Sequence, residues 1–177
     1  MDAIARARSL RLMAFDVDGV LTDGRLYYND RGEETKAFST LDGHGMKMLA
    51  ACGVTLAIIT GRRSPTVEHR ARNLGIDRLY QGIADKRATL QALLAELGVA
   101  PEHAGYIGDD VVDLPVMRHC GFAAAPANAH AFVRQHAHWI AGARGGEGAV
   151  RELCDFILGA QGKLDAALQT YLDTDAR

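Results

Sequence analysis

The chain has 177 residues, 48% of them hydrophobic, and a formal net charge of −2 from 22 acidic against 20 basic side chains. That length suits one domain with a sizeable core, and so even a balance excludes a strong electrostatic pull toward nucleic acid or a membrane surface. Three scattered cysteines (Cys52, Cys120, Cys154) make neither a disulfide framework nor a CxxC metal site, and no signal-peptide core or run of ~20 apolar residues is present, so a cytoplasmic protein in a reducing compartment is expected.

Residues 1–9 read as a short helical or frayed lead-in. Residues 10–15 are an apolar run predicted to be a buried strand, and it ends abruptly in Asp16-Val17-Asp18-Gly19. Gly19 permits the turn that follows. Two carboxylates at the end of an apolar strand are costly unless something positive binds them. A hard cation such as Mg²⁺, which prefers carboxylate and carbonyl oxygen, is the natural partner. Residues 25–28 and 34–38 flank Asn29-Asp30-Arg31-Gly32 and predict a β-hairpin. Asp42 is the expected cap of a helix carrying Met46, Leu49 and Ala50, closed by Cys52-Gly53.

Residues 54–59 form a continuous apolar strand of the kind buried on both faces of a parallel sheet, and Thr60-Gly61-Arg62-Arg63 follows it. Ser64-Pro65 opens a helix that stops at Leu74-Gly75. A short strand is expected over 78–81. An amphipathic helix is expected over 85–97, with Leu90, Leu93, Leu94 and Leu97 on one stripe and Lys86 at its start. Strand 105–107 runs into Gly108-Asp109-Asp110-Val111-Val112-Asp113. A short helix (112–119), a strand (121–124), a helix (129–135) and a last edge strand (138–140) complete the alternation. Gly145-Gly146-Glu147-Gly148 reads as a flexible joint before a helical tail from 149 to about 172, the whole of 145–177 forming a mobile C-terminal segment.

Strands alternating with helices throughout predict an α/β protein with a doubly wound parallel sheet and a protruding hairpin, as one domain over 1–177. Ligands in such sheets bind outside the carboxyl ends of the strands. Those ends carry Asp16 and Asp18, then Thr60 and Gly61, then Asp109, Asp110 and Asp113, with Lys86 opening the helix after the third strand. Carboxylates, one hydroxyl and one ammonium suit a divalent cation plus a phosphate: metal and lysine neutralise phosphoryl oxygens while a carboxylate attacks phosphorus. Singly, each piece has a plainer reading as a solvated turn, a loop or a helix cap. Their joint occurrence, in order at strand ends, carries the chemistry. His44, His130, His136 and His138 lack cysteine or acid partners at ligand spacing and read as surface or core residues, and Arg63 reads as surface.

With these four motifs in order, the chain resembles the haloacid dehalogenase superfamily of phosphohydrolases, up to about Trp139. The resemblance implies Asp16 as nucleophile and Asp18 as general acid and then base. It implies Thr60 as a phosphoryl hydrogen-bond donor and Lys86 as charge compensation. Mg²⁺ would be held by Asp16, the Asp18 carbonyl and Asp109, with Asp113 as an outer ligand. The intervals Asp18–Thr60 and Thr60–Lys86 leave no room for the cap domain that other members insert, so the chain is similar to the capless subgroup. An uncapped cleft would face bulk water, and another subunit is the economical source of the missing walls. The resemblance implies a homotetramer, with hairpins at its axis and the tail reaching an adjacent site. The implied substrate is a small acidic sugar phosphate. Its carboxylate would be met by Arg62 and, across the interface, by Arg70, since a guanidinium fork matches a carboxylate. A nine-carbon acidic sugar phosphate is the rival substrate, disfavoured by the absence of an acid in Gly45-Met46-Lys47-Met48. A non-catalytic tetramerisation module is the rival of another class, opposed by the intact Asp16, Asp18, Thr60, Lys86 and Asp109.

Overall fold

The computed structural model describes residues 2–173; Met1 and the last residues of the expected tail, 174–177, lie outside them. In chain order come α1 (Ala3–Arg8), β1 (Leu12–Phe15), the short hairpin strands β2 (Tyr27–Tyr28) and β3 (Glu34–Thr35), α2 (Thr40–Ala51), β4 (Thr55–Thr60) and α3 (Pro65–Leu74). There follow β5 (Leu79–Gln81), α4 (Lys86–Leu97), β6 (Ala104–Ile107), α5 (Leu114–Met117), β7 (Phe122–Ala125), α6 (Ala131–His136), β8 (Trp139–Ile140), α7 (Ala149–Ala160) and α8 (Leu164–Gln169).

Six strands make one sheet in the order β5-β4-β1-β6-β7-β8, and every neighbouring pair is parallel. Side chains alternate across a strand, so the apolar runs divide between two cores. Met13, Phe15, Leu56 and Ile58 pack on one face with Met46 and Leu49 of α2, Val67 of α3, and Leu153 and Ile157 of α7. Leu12, Ala14, Ala57 and Ile59 pack on the other with Leu90 and Leu93 of α4, Met117 of α5 and Val133 of α6. The doubly wound parallel sheet is thus as expected. From β1 the chain moves toward β4 and β5, and from β6 it moves the opposite way toward β7 and β8. The crevice therefore opens at the carboxyl ends of adjacent β1 and β6, where Asp16 and Asp109 emerge.

Three local expectations are corrected. The hairpin ladder is two residues per strand, pairing Tyr27 with Thr35 and Tyr28 with Glu34, shorter than 25–28 against 34–38. Arg25 is held back by its N–H bond to Asp23 Oδ1 at 2.9 Å, and beyond Thr35 the Lys36 side chain turns inward and is buried. Phe38 is correspondingly half-buried against the core, not exposed like Leu26, Tyr27 and Tyr28. The cap of α2 is Ser39, whose hydroxyl accepts from the Asp42 N–H at 3.3 Å. Asp42 sits in the first turn, buried, and accepts the Arg151 N–H at 2.8 Å. The short helix expected over 112–119 is a 3₁₀ turn (Val111–Asp113) followed by one α-turn.

The largest correction concerns the expected flexible joint and swinging tail. The N–H of Gly145 bonds Asn128 Oδ1 at 2.9 Å and that of Gly146 bonds the Val20 carbonyl at 2.9 Å. A Cβ at either position would collide with the backbone of Gly19, Thr22 or Asp23; these glycines allow close packing on the loop after β1. Helix α7 then buries Ala149, Val150, Leu153, Cys154, Ile157 and Leu158 as part of the core. Helix α8 has no buried residue and touches this core only through the partly buried Leu164 and Ala167 among the described residues.

Candidate active site

Asp16 stands at the end of β1 with 6% of its surface exposed. Its Oδ2 lies 2.9 Å from Lys86 Nζ, which also lies 2.6 Å from Asp113 Oδ1. Lys86 is placed because Asp85 caps α4, accepting the Ala88 N–H at 2.9 Å and so fixing the first turn. Asp113 is wholly buried and all its acceptor capacity is used inside the protein. Oδ1 takes Lys86 and lies 3.2 Å from the Tyr106 hydroxyl, while Oδ2 accepts the N–H groups of Asp109 (3.1 Å) and Asp110 (3.4 Å). It thereby ties the loop after β6 to the lysine. The Tyr106 hydroxyl reaches the Ile59 carbonyl as well, at 3.1 Å, one residue before Thr60. Asp110 bends away to accept the Val111 N–H at 2.7 Å and caps the 3₁₀ turn.

The electrostatics of this cluster call for a cation. Burial, then Asp113, push the Asp16 carboxyl up to about 6, with Lys86 pulling the other way. Burial, then Asp16, Asp113 and Asp110, push Asp109 up to about 7. For Lys86 burial acts to lower the ammonium's pKa, but Asp16 and Asp113 outweigh it and the value stands above its usual range. One lysine thus serves three carboxylates, and one oxygen from each of Asp16, Asp109 and Asp113 falls within 4.8 Å of the others. The oxygens of Asp16 and Asp109 fit Mg²⁺, with Asp113, whose own oxygens are engaged within the protein, behind them. Gly19 makes room for the Asp109 carboxylate: its φ is +86°, and a Cβ there would run into that group.

A cleft of about 410 Å³ opens over these groups, lined among others by Asp16, Asp18, Thr60, Gly61, Arg62 and Lys86. Asp109, Asp110 and Val112 also line it. The sequence-predicted residues are thus gathered at one place, with Asp113 directly beneath and Arg70 as the exception. Arg70, on α3, donates to the Ser39 carbonyl at 2.8 Å and lies over the Phe38 ring, away from this chain's own cleft lining.

Sequence reasoning missed the hairpin's contribution. Lys36 Nζ is paired with Asp18 Oδ1 and lies 3.1 Å from Glu34 Oε1; Glu34 Oε2 is paired with the Arg62 guanidinium, whose Nε is 3.7 Å from Asp18 Oδ2. Tyr28 adds its hydroxyl 3.1 Å from Arg62. Tyr106 was likewise missed. His138 Nδ1 accepts the Ala123 N–H at 2.9 Å and His130 Nδ1 the Phe132 N–H at 3.2 Å.

An uncapped parallel sheet with acids, a threonine and a lysine at its carboxyl edge defines a class. A profile of haloacid dehalogenase-like hydrolases matches residues 29–121. A Yersinia pestis protein, 3-deoxy-D-manno-octulosonate 8-phosphate phosphatase KdsC, is 49% identical over 166 residues, covering 94% of this chain and 89% of its own. The chain belongs to the haloacid dehalogenase-like hydrolase family and is a phosphatase. Two solved structures are similar throughout. A probable yrbi family phosphatase from Pseudomonas syringae pv.phaseolica 1448a has 56% identity and a TM-score of 0.95, covering 97% of this chain and 98% of that one. The 3-deoxy-D-manno-octulosonate 8-phosphate phosphatase from Moraxella catarrhalis, in complex with magnesium ion, phosphate ion and KDO, has 44% identity and a TM-score of 0.93, covering 96% and 97%.

Proposed function

We propose that this phosphatase is a Mg²⁺-dependent phosphomonoesterase that hydrolyses 3-deoxy-D-manno-octulosonate 8-phosphate to the free sugar acid and phosphate, in the cytoplasm, supplying lipopolysaccharide synthesis. The observation that carries the reading is the ligand set of the Moraxella neighbour. Magnesium, phosphate and KDO are the cofactor and both products of this reaction, and the cleft here presents the groups needed to make them.

Asp16, the Asp18 backbone carbonyl and Asp109 would hold the cation, with Asp113 behind them. When bound, it withdraws charge from the phosphoryl oxygens and relieves the mutual repulsion of Asp16 and Asp109. An oxygen of Asp16 attacks phosphorus as the bond from phosphorus to the sugar oxygen breaks, and that oxygen takes the proton of Asp18. Thr60 donates a hydrogen bond to the phosphoryl group and Lys86 offsets its charge. Water then attacks the phosphorus of the aspartyl-phosphate and gives a proton to Asp18. The bond from phosphorus to the Asp16 oxygen breaks, and both side chains return to their starting states.

Gly61 and Arg62 at the cleft mouth meet the sugar acid, Arg62 by pairing with its carboxylate. A homotetramer completes the wall: the described residues supply no cap, and Leu26, Tyr27 and Tyr28 lie exposed beside the cleft. Arg70 then acts on a neighbour's site. The test is phosphate release from a panel of sugar phosphates with Mg²⁺. 3-Deoxy-D-manno-octulosonate 8-phosphate is expected to be turned over best, and Asp16→Asn to abolish turnover while keeping the circular dichroism spectrum. A better nine-carbon substrate would overturn the assignment.

A further inference from the structure

We propose that Lys36 is a positioning residue for proton transfer: from the hairpin it fixes the carboxylate of Asp18 so that one oxygen is left to carry the proton. The inference rests on the reading of Asp18 as the group that moves protons.

Asp18, Lys36, Glu34 and Arg62 form a closed ring in which carboxyl groups and cationic groups alternate. Asp18 gives Oδ1 to Lys36 and Oδ2 to Arg62, while Glu34 gives Oε1 to Lys36 and Oε2 to Arg62. The four corners are not equally wet. The Lys36 side chain is 2% exposed, against 16% for Glu34, 22% for Asp18 and 44% for Arg62. A buried ammonium is costly unless it is paired, and these two carboxylates are its ion-pair partners among the described residues. Lys36 therefore cannot leave the ring cheaply, whereas Arg62 at the open corner can turn to a ligand.

The consequence lies in the geometry of Asp18. It sits beyond the end of β1, where neither sheet nor helix restrains its side chain. Asp18 lines the cleft, and pairing Oδ1 with the buried ammonium leaves Oδ2 as the oxygen free to carry a proton once Arg62 turns to the substrate carboxylate. That is the oxygen placed to give a proton to the departing sugar oxygen, and proton transfer depends steeply on reach and alignment. The hairpin thus supplies part of the catalytic geometry through a residue that does not line the cleft.

The test compares two leaving groups in the full-length, Mg²⁺-loaded enzyme. A sugar alkoxide needs a proton as it departs; p-nitrophenolate, stabilised by its ring, does not. The ratio kcat/KM reports steps up to departure of the leaving group. Lys36→Met should lower kcat/KM for 3-deoxy-D-manno-octulosonate 8-phosphate by about 100-fold, the lower end of what general acid catalysis contributes, and lower it for p-nitrophenyl phosphate by less than about a tenth of that factor. An equal fall on both substrates, or no fall on either, overturns the proposal. If Lys36→Met does not fold, Lys36→Gln, which keeps an N–H donor on a neutral stem, is read by the same two-substrate ratio. If wild type rejects the octulosonate but cleaves another aliphatic sugar phosphate, the substrate assignment fails alone, and the ratio is taken with that ester instead.

Discussion

Lys86 is held between Asp16 at 2.9 Å and Asp113 at 2.6 Å, and it is buried. Removing it strands two carboxylates that the fold cannot expose. Breaking a buried ion pair from one side costs about 3–5 kcal/mol, so Lys86→Met should lose that much stability in metal-free urea unfolding. Turnover should fall about 10²–10³-fold, as for loss of one preorganised charge-stabilising group. Gly19→Ala tests a different contact. A Cβ at φ +86° is strained and meets the Asp109 carboxylate, so Mg²⁺ affinity measured by calorimetry should drop, with about 1 kcal/mol or more of stability lost. At this scale the sequence was legible where chemistry is local. Asp16 and Asp18 share one turn, and Gly108-Asp109-Asp110 share another. Lys36 and Tyr106 were not legible, because their meaning lies in partners 18 and 47 residues away and neither sits in a spacing that chemistry requires.

Elements were legible wherever burial is two-sided. The run over 54–59 can only be an interior strand, and α4 carries its own stripe of leucines and its own cap. Boundaries failed where a distant group decided them, as with Ser39 displacing Asp42 as the cap of α2. The run Gly145-Gly146-Glu147-Gly148 failed for a related reason: a glycine-rich stretch suggests a hinge by composition, yet here Gly145 and Gly146 are small because the backbone of 19–23 lies against them. Helix α7 is in consequence a core element. Leu153→Ala, at a wholly buried position, should cost about 2–5 kcal/mol in chemical denaturation and leave KM unchanged, since α7 does not line the cleft. A chain ending at Gln161 keeps α7 and loses α8, none of whose residues is buried. Its thermal midpoint should stay within about 4 °C of the full chain, the shift expected for ~1 kcal/mol at this size, whereas a chain ending at Gly148 should not fold.

Taken as a whole, the molecule places a surplus of negative charge at the meeting point of β1 and β6, and its stability should register that surplus. Burial, with the neighbouring carboxylates, pushes Asp16 up to about 6 and Asp109 up to about 7, both above the usual carboxylate range. For an acid raised on folding, the native state binds the proton more tightly than the unfolded chain. The contribution is therefore favourable at low pH and is lost as pH rises from about 4 through 7. Mg²⁺ bound at the proposed site should reverse the sense, because it would bind the ionised carboxylates and displace those protons. The gain in thermal midpoint on adding Mg²⁺ should be small at pH 5, grow through pH 6–7 and level off near pH 8, the window set by the two raised values. Asp109→Asn separates the two effects. It removes one buried charge, so at pH 8 the metal-free variant should melt higher than metal-free wild type, and its response to Mg²⁺ should flatten while turnover collapses. A Mg²⁺ shift of equal size at pH 5 and pH 8 would show that the cation does not bind these carboxylates. The same charge surplus that weakens the empty protein is what gives the site its hold on a cation, and stability is lost at the carboxyl edge of the sheet because the proposed catalysis requires it there.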